Sequence, residues 1–175
     1  TGYCFSCGTY IPNPYEDKGE DYKPKRVGKS EEEKSAEMRE IGTYQTLPLP
    51  DRGLTEETLT YFGVKTAVSE TDGKTPIAVY FPYYNDDEQL VAYKARLLEE
   101  KRFWALGSLR DSEMFGWKEA LQTCAKSIII CEGEYDAMSV YQMFKQKNKG
   151  TKWEKFEPAV VSVPSGAGSA VKSLS

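Results

Sequence analysis

The stretch from residue 127 to residue 140 constrains this chain most. Ser127 leads into Ile128, Ile129, Ile130 and Cys131, and the run ends in Glu132-Gly133-Glu134-Tyr135-Asp136. Consecutive β-branched residues favour a strand. The glycine breaks the pattern, after which Ala137, Val140, Tyr141 and Phe144 recur at helical spacing and give one apolar face for a sheet. The expected structure is a strand, a turn and a helix, with Glu132, Glu134 and Asp136 gathered at the carboxyl end of the strand. Open α/β sheets bind ligands at that edge. Three carboxylates there, with no obvious counter-charge, call for a divalent cation.

The pattern then repeats. Ala159, Val160, Val161, Ser162 and Val163 read as a second buried strand, and Pro164-Ser165-Gly166-Ala167-Gly168-Ser169-Ala170 as a glycine-rich turn into a second helix. A β-α-β-α order implies parallel strands. The turn lacks the Gly-Lys-Ser/Thr of a Walker loop. Two readings remain: a tight turn that needs glycine, or backbone N–H groups offered to an anion at a helix start.

A basic strand precedes this region. Residues 77–82 and 89–98 read as a hairpin closed by Asn85-Asp86-Asp87. With the two-residue period of a strand, Val91, Tyr93, Ala95 and Leu97 share one face, and Ala92, Lys94 and Arg96 the other. Lys101, Arg102, Phe103 and Trp104 follow. A basic face with adjacent aromatics suits a nucleotide or a phosphate-bearing strand; the alternative is an ordinary solvated sheet face.

Composition sets the outer limits. The 175 residues make one to one and a half domains, and 39% hydrophobic residues suffice for a core. No apolar run approaches the ~20 residues of a membrane span, so no membrane is expected. The net charge of −4 argues against a protein that coats nucleic acid generally, while leaving room for a local basic groove. The chain has no His, which removes His-dependent triads and His general bases.

Four segments are expected. Residues 1–14 carry Cys4 and Cys7 in a Cys-x-x-Cys-Gly flanked by aromatics, which reads as half of a zinc ribbon, two thiolates facing one metal across a tight turn. A redox pair and two incidental thiols are the alternatives. Cys124 and Cys131 are too far apart to be the second knuckle, so the other zinc pair is expected before Thr1. Residues 15–42 are dense in mixed charge and read as a flexible linker, although Ser30 and Glu33 are spaced as a capping box. Residues 43–126 form an α+β subdomain. It includes a short helix opened by Thr55 and stopped by Gly63, and an irregular connection over 105–118. Residues 127–175 begin a parallel sheet. The fold class is therefore α/β.

Together these residues resemble a family. Ile128-Ile129-Ile130-Cys131-Glu132-Gly133-Glu134-Tyr135-Asp136 is similar to the first motif of a TOPRIM domain, a hydrophobic strand followed by Glu-Gly-x-x-Asp. Arg52-Gly53-Leu54-Thr55, Tyr93-Lys94-Ala95-Arg96, Met114-Phe115-Gly116 and the series Val161 to Ala170 fall in the order seen in the primase half of podovirus-type phage primase–helicases, relatives of mitochondrial Twinkle. The resemblance runs from residue 51 to the end, behind a Cys-x-x-Cys and a charged linker. It implies a TOPRIM, Rossmann-like sheet and synthesis of short RNA primers on single-stranded DNA from ribonucleoside triphosphates. By position, Glu132 is the TOPRIM glutamate. Glu134 and Asp136 join it in holding Mg2+ or Mn2+. Lys94, Arg96, Lys101 and Arg102 hold nucleotide and template, with Lys94 and Lys101 serving catalysis beside Glu132. Cys4 and Cys7 hold Zn2+.

The resemblance further implies a replicative helicase and a DNA polymerase as partners, a hexamer formed through a helicase domain, and the cytoplasm of an infected bacterium as the location. A TOPRIM also has an Asp-x-Asp on a third strand. The chain is thus expected to be an internal fragment, inactive alone. The alternatives are a catalytically silent primase-like domain that binds single-stranded DNA for an attached helicase, and a TOPRIM topoisomerase or nuclease.

Overall fold

The computed structural model describes residues 2–4, 9–11, 29–100 and 102–164, the first two groups by their backbone alone. It divides into two units, Thr1–Ala36 and Glu37–Ser175. In the first unit, β1 (Gly2–Cys4) pairs antiparallel with β2 (Thr9–Ile11), placing Cys4 opposite Thr9. Cys7 lies outside the described residues. The helix α1 (Glu31–Gly42) starts here and runs into the second unit. Its capping box is formed: the Ser30 N–H donates to the Glu33 carboxylate at 2.7 Å, and the Glu33 N–H donates to Ser30 Oγ at 3.1 Å.

The second unit carries α2 (Glu56–Tyr61) and then four strands, β3 (Lys65–Val68), β4 (Pro76–Tyr84), β5 (Leu90–Leu97) and β6 (Phe103–Gly107). They form an antiparallel sheet in sequence order. The alternation read in β5 sets its two faces. Tyr93 turns to one side, where it packs with Leu106, Ile41 and Met38. Ala92 turns to the other, into the main core with Val79, Phe81 and Tyr83. The last turns of the stretch expected to be linker thus cover one face of the sheet, with Ile41 only 2% exposed. Two apolar residues three apart suffice because the sheet face that receives them is aromatic.

Two other expectations change. The segment expected to be irregular opens inside a strand: residues 105–107 are the end of β6, which returns along β5 from Arg96↔Phe103 to Ala92↔Gly107. β4 also continues through Pro82, where the sequence pattern ends it. Pro82 lies beyond the last β3 partner, Tyr80, so its missing N–H removes no ladder bond on that side.

The chain then adds α3 (Trp117–Leu121), β7 (Ile128–Cys131), α4 (Glu134–Asn148) and β8 (Ala159–Ser162). β7 and β8 are parallel, registered Ile128↔Ala159 to Cys131↔Ser162. This is the expected β-α-β unit. Ala137, Met138 and Tyr141 of α4 join Phe62, Phe81, Tyr83, Phe115 and Val160 in the main core, which fastens the unit to the antiparallel sheet. On the other edge of β8, Phe115 and Ser162 exchange two backbone hydrogen bonds of 3.0 Å. Gly116 has φ +79°, and a Cβ there would lie 2.7 Å from the Val160 carbonyl oxygen and 2.9 Å from the Phe62 ring. Only glycine lets this loop approach β8 so closely. β7 is less buried than its composition implies. Ile129 and Cys131 pack against the core, whereas Ile128 and Ile130 are 44% and 47% exposed. No helix among the described residues is long and apolar enough to cross a membrane.

Candidate active site

The site lies where β5 faces the turn between β7 and α4. Register places Lys94 and Arg96 on the same face of β5 as Ala92, which the shared core turns toward the first residues of α4. Glu134 is the first residue of α4, where the positive end of the helix dipole favours a carboxylate. Its side chain is 7% exposed, and its Oε1 lies 2.6 Å from Lys94 Nζ. The Tyr83 hydroxyl donates to the same oxygen at 2.6 Å. Burial, and then the neighbouring Glu134 carboxylate, push the Tyr83 hydroxyl well above its ordinary range, so this group stays a donor. Lys94 also donates to the Pro164 carbonyl at 2.9 Å. One ammonium therefore ties β5 to the start of α4 and to the residue that follows β8 and Val163.

Tyr135, next along α4, forms a second contact. The Arg96 guanidinium lies 4.9 Å from its ring centroid and the Arg52 guanidinium 5.0 Å from it, both within cation–π range. Arg96 also lies 5.0 Å from the Phe103 ring. Neither guanidinium has a carboxylate partner among the described residues. Arg96 Nε and the Tyr135 hydroxyl are buried without hydrogen bonds. Burial raises the Tyr135 hydroxyl, and the Arg96 and Arg52 charges pull it the other way. Gln142 of α4 anchors the segment that follows Arg52: its amide donates to the Gly53 carbonyl at 2.6 Å and accepts from the Thr55 N–H and the Thr58 hydroxyl, each at 2.9 Å.

Glu132 and Asp136 take the opposite course. Both are exposed, and neither forms an ion pair among the described residues. Asp136 reaches back over the turn, since a Cβ on Gly133 would lie 3.4 Å from its Oδ2. Its charge adds to burial in raising the Cys131 thiol. No cluster of three or more potential metal ligands is present among the described residues. The three expected acids are thus split. Glu132 and Asp136 face outward at the turn, while Glu134 is turned inward onto Lys94 and Tyr83.

The other expected site residues fare unevenly. Arg102 is exposed at the return into β6, and its carbonyl accepts from the Leu97 N–H at 3.1 Å. Lys101, Cys7 and the turn over 165–170 lie outside the described residues, and of Cys4 the structure describes only the backbone. Sequence reasoning passed over Arg52, Tyr83 and Tyr135 as site residues. The signal for Arg52 was available, a cation beside Gly53 at the entrance of a capped helix. For Tyr83 it was only its shared strand face with Phe81.

The arrangement combines three cations, an aromatic platform and two outward carboxylates at the carboxyl end of a parallel strand. It can hold a phosphate-bearing ligand beside a pair of exposed carboxylates. No protein-family model matches the chain, and no curated protein does. Solved structures do. The primase fragment of the bacteriophage T7 primase–helicase is similar over 73% of this chain, with 27% identity and a TM-score of 0.54. The primase domains of bacteriophage T7 gp4, solved with the lagging-strand DNA polymerase, an RNA/DNA hybrid and dTTP, are similar over 72%, with 29% identity and a TM-score of 0.53. A DnaG primase catalytic domain bound to single-stranded DNA matches over 74% of this chain and 54% of its own, at 16% identity and a TM-score of 0.48. The chain spans 46% and 56% of the two T7 chains.

Proposed function

We propose that this chain is the core of a DNA primase of the phage primase–helicase kind, which makes short RNA primers on single-stranded DNA. The observation that carries the reading is the convergence of Lys94, Arg96 and Arg52 on the Glu132–Asp136 turn, in a fold similar to the T7 primase fragment. Nucleotidyl transfer depends chiefly on positioning and on offsetting phosphate charge. The two arginines, unpaired and stacked on Tyr135, suit phosphates of a nucleoside triphosphate or of the template, and the exposed Phe103 suits stacking with a base.

Glu132 and Asp136 would hold Mg2+, since they offer hard oxygen donors of the kind that ion takes. Mg2+ there would polarise the reacting phosphate and stabilise its developing charge. Glu134 is already engaged by Lys94, so the metal role rests on the other two acids. Zn2+ on Cys4 and Cys7, an attached helicase, a polymerase partner and a hexamer belong to the same proposal.

The test is primer synthesis by the full-length protein on mixed single-stranded templates with labelled ribonucleotides. Short RNA products are expected, reduced roughly a hundredfold in Glu132→Gln while DNA binding is kept. A full-length protein that binds single-stranded DNA and makes no RNA would be a silent primase-like domain instead.

A further inference from the structure

We propose that Glu134 is a positioning residue for Lys94, and that Tyr83, Glu134 and Lys94 form one relay that aims an ammonium at a phosphate of the bound nucleotide. The proposal rests on the primase reading for the identity of the ligand. A lysine on a strand face has a flexible stem and no fixed direction. Here the ammonium is ion-paired with Glu134 Oε1 at 2.6 Å and donates one N–H to the Pro164 carbonyl at 2.9 Å. The ammonium also lies 5.9 Å from the Phe103 ring centroid, and the side chain keeps 19% exposure, which leaves donor capacity for a ligand.

Glu134 is itself held. It sits at the first position of α4, and the Tyr83 hydroxyl donates to the same oxygen that faces Lys94. Tyr83 is fully buried on β4, so the relay has a rigid base in the core. An acid that lies two residues from Glu132 along the chain therefore acts through a lysine forty positions upstream. It does not act through a metal.

The experiment is a double-mutant cycle in the full-length protein. Binding of a fluorescent nucleoside triphosphate is measured in Lys94→Gln, Glu134→Gln and the double variant, and the Mg2+ midpoint of primer synthesis is measured in Glu134→Gln. Each single change is expected to weaken the triphosphate about tenfold, the size of one charge-assisted contact. The double variant is expected to be no weaker than Lys94→Gln alone, since both act through one group. Tyr83→Phe, which keeps the ring, is expected to weaken binding about threefold in the presence of Lys94 and not in its absence.

Multiplicative losses of about a hundredfold in the double variant would overturn the relay. So would a folded Glu134→Gln protein with unchanged affinity. A several-fold rise in the Mg2+ midpoint of Glu134→Gln would make Glu134 a metal ligand and overturn it too. Primer synthesis by the unmutated protein reads the primase assignment separately. A protein that binds the triphosphate but makes no primer sinks that assignment and leaves the cycle readable.

Discussion

Glu134 and Glu132 are two residues apart, and the structure gives them opposite surroundings. Glu134, on the inner side of the first turn of α4, is 7% exposed and is met by Lys94 and Tyr83, each at 2.6 Å. Glu132, on the outer side, is exposed with Asp136, and neither has an ion-pair partner among the described residues. A carboxylate can be buried only when its charge is answered, and the inner side answers it. The outer side leaves its acids without an ion-pair partner among the described residues, which costs stability only if the charges lie close. One short acidic sequence thus takes two courses, tying α4 to β5 on one side and leaving two carboxylates exposed on the other.

The largest contrast is in stability. Lys94→Ala leaves Glu134 buried without its counter-charge and is expected to cost on the order of 3 kcal/mol of folding free energy. Glu132→Gln is expected to stay within about 0.5 kcal/mol of the parent, as surface changes do. Urea unfolding of the two variants side by side measures both. Equal costs would mean that the inner and outer sides are not different in kind, and that the Lys94–Glu134 pair is held too loosely to matter.

This contrast also marks where sequence reading succeeds and stops. The strand, turn and helix over 127–148 follow from local pattern: β-branched residues, a glycine, then helical spacing. The shared face of Lys94 and Arg96 follows from the period of a strand. Both are short-range regularities, and the structure has both. The division of Glu132, Glu134 and Asp136 is not short-range. It depends on which side of α4 faces the antiparallel sheet, and that is decided by Ala137, Met138 and Tyr141 entering a core built with Phe62, Phe81 and Phe115. Phe62 is more than seventy positions away. β6 was hidden for a related reason. Phe103 to Gly107 is short and part exposed, and it becomes a strand because β5 offers an open edge beside it. The capping box at Ser30 and Glu33 was legible, whereas the burial of Ile41 was not, since nothing local announces the aromatic face that receives it.

A middle-sized effect separates Lys94 from Arg52. Gln142 links α4 to Gly53, Thr55 and Thr58 through three hydrogen bonds, and so anchors the segment next to Arg52, whose guanidinium lies 5.0 Å from the Tyr135 ring. Gln142→Ala is expected to cost about 1–2 kcal/mol and to weaken binding of single-stranded DNA or nucleotide a few-fold, because Arg52 is freed. The Lys94–Glu134 pair does not depend on Gln142, so Lys94→Gln is expected to add its full loss on top. Fluorescence anisotropy with labelled DNA, across the two single variants and the double one, measures this. Non-additive losses would show that Arg52 and Lys94 act as one unit.

The smallest effect concerns the ring beneath the two arginines. Tyr135 carries a guanidinium at 4.9 Å and another at 5.0 Å from its centroid, while its hydroxyl is buried without a partner. The ring is therefore doing the work of holding cations, and the hydroxyl bears the desolvation cost of an unpaired polar group. Tyr135→Phe keeps the ring and removes that cost, so stability is expected to stay level or rise by up to about 1 kcal/mol. Affinity for a nucleoside triphosphate is expected to be unchanged, because both arginines keep their platform. Thermal unfolding and nucleotide titration of this variant check the two halves together. A gain in stability with a loss of affinity would give the hydroxyl a partner in the bound ligand, and would move Tyr135 from the platform beneath the site to the set of groups that touch what it binds.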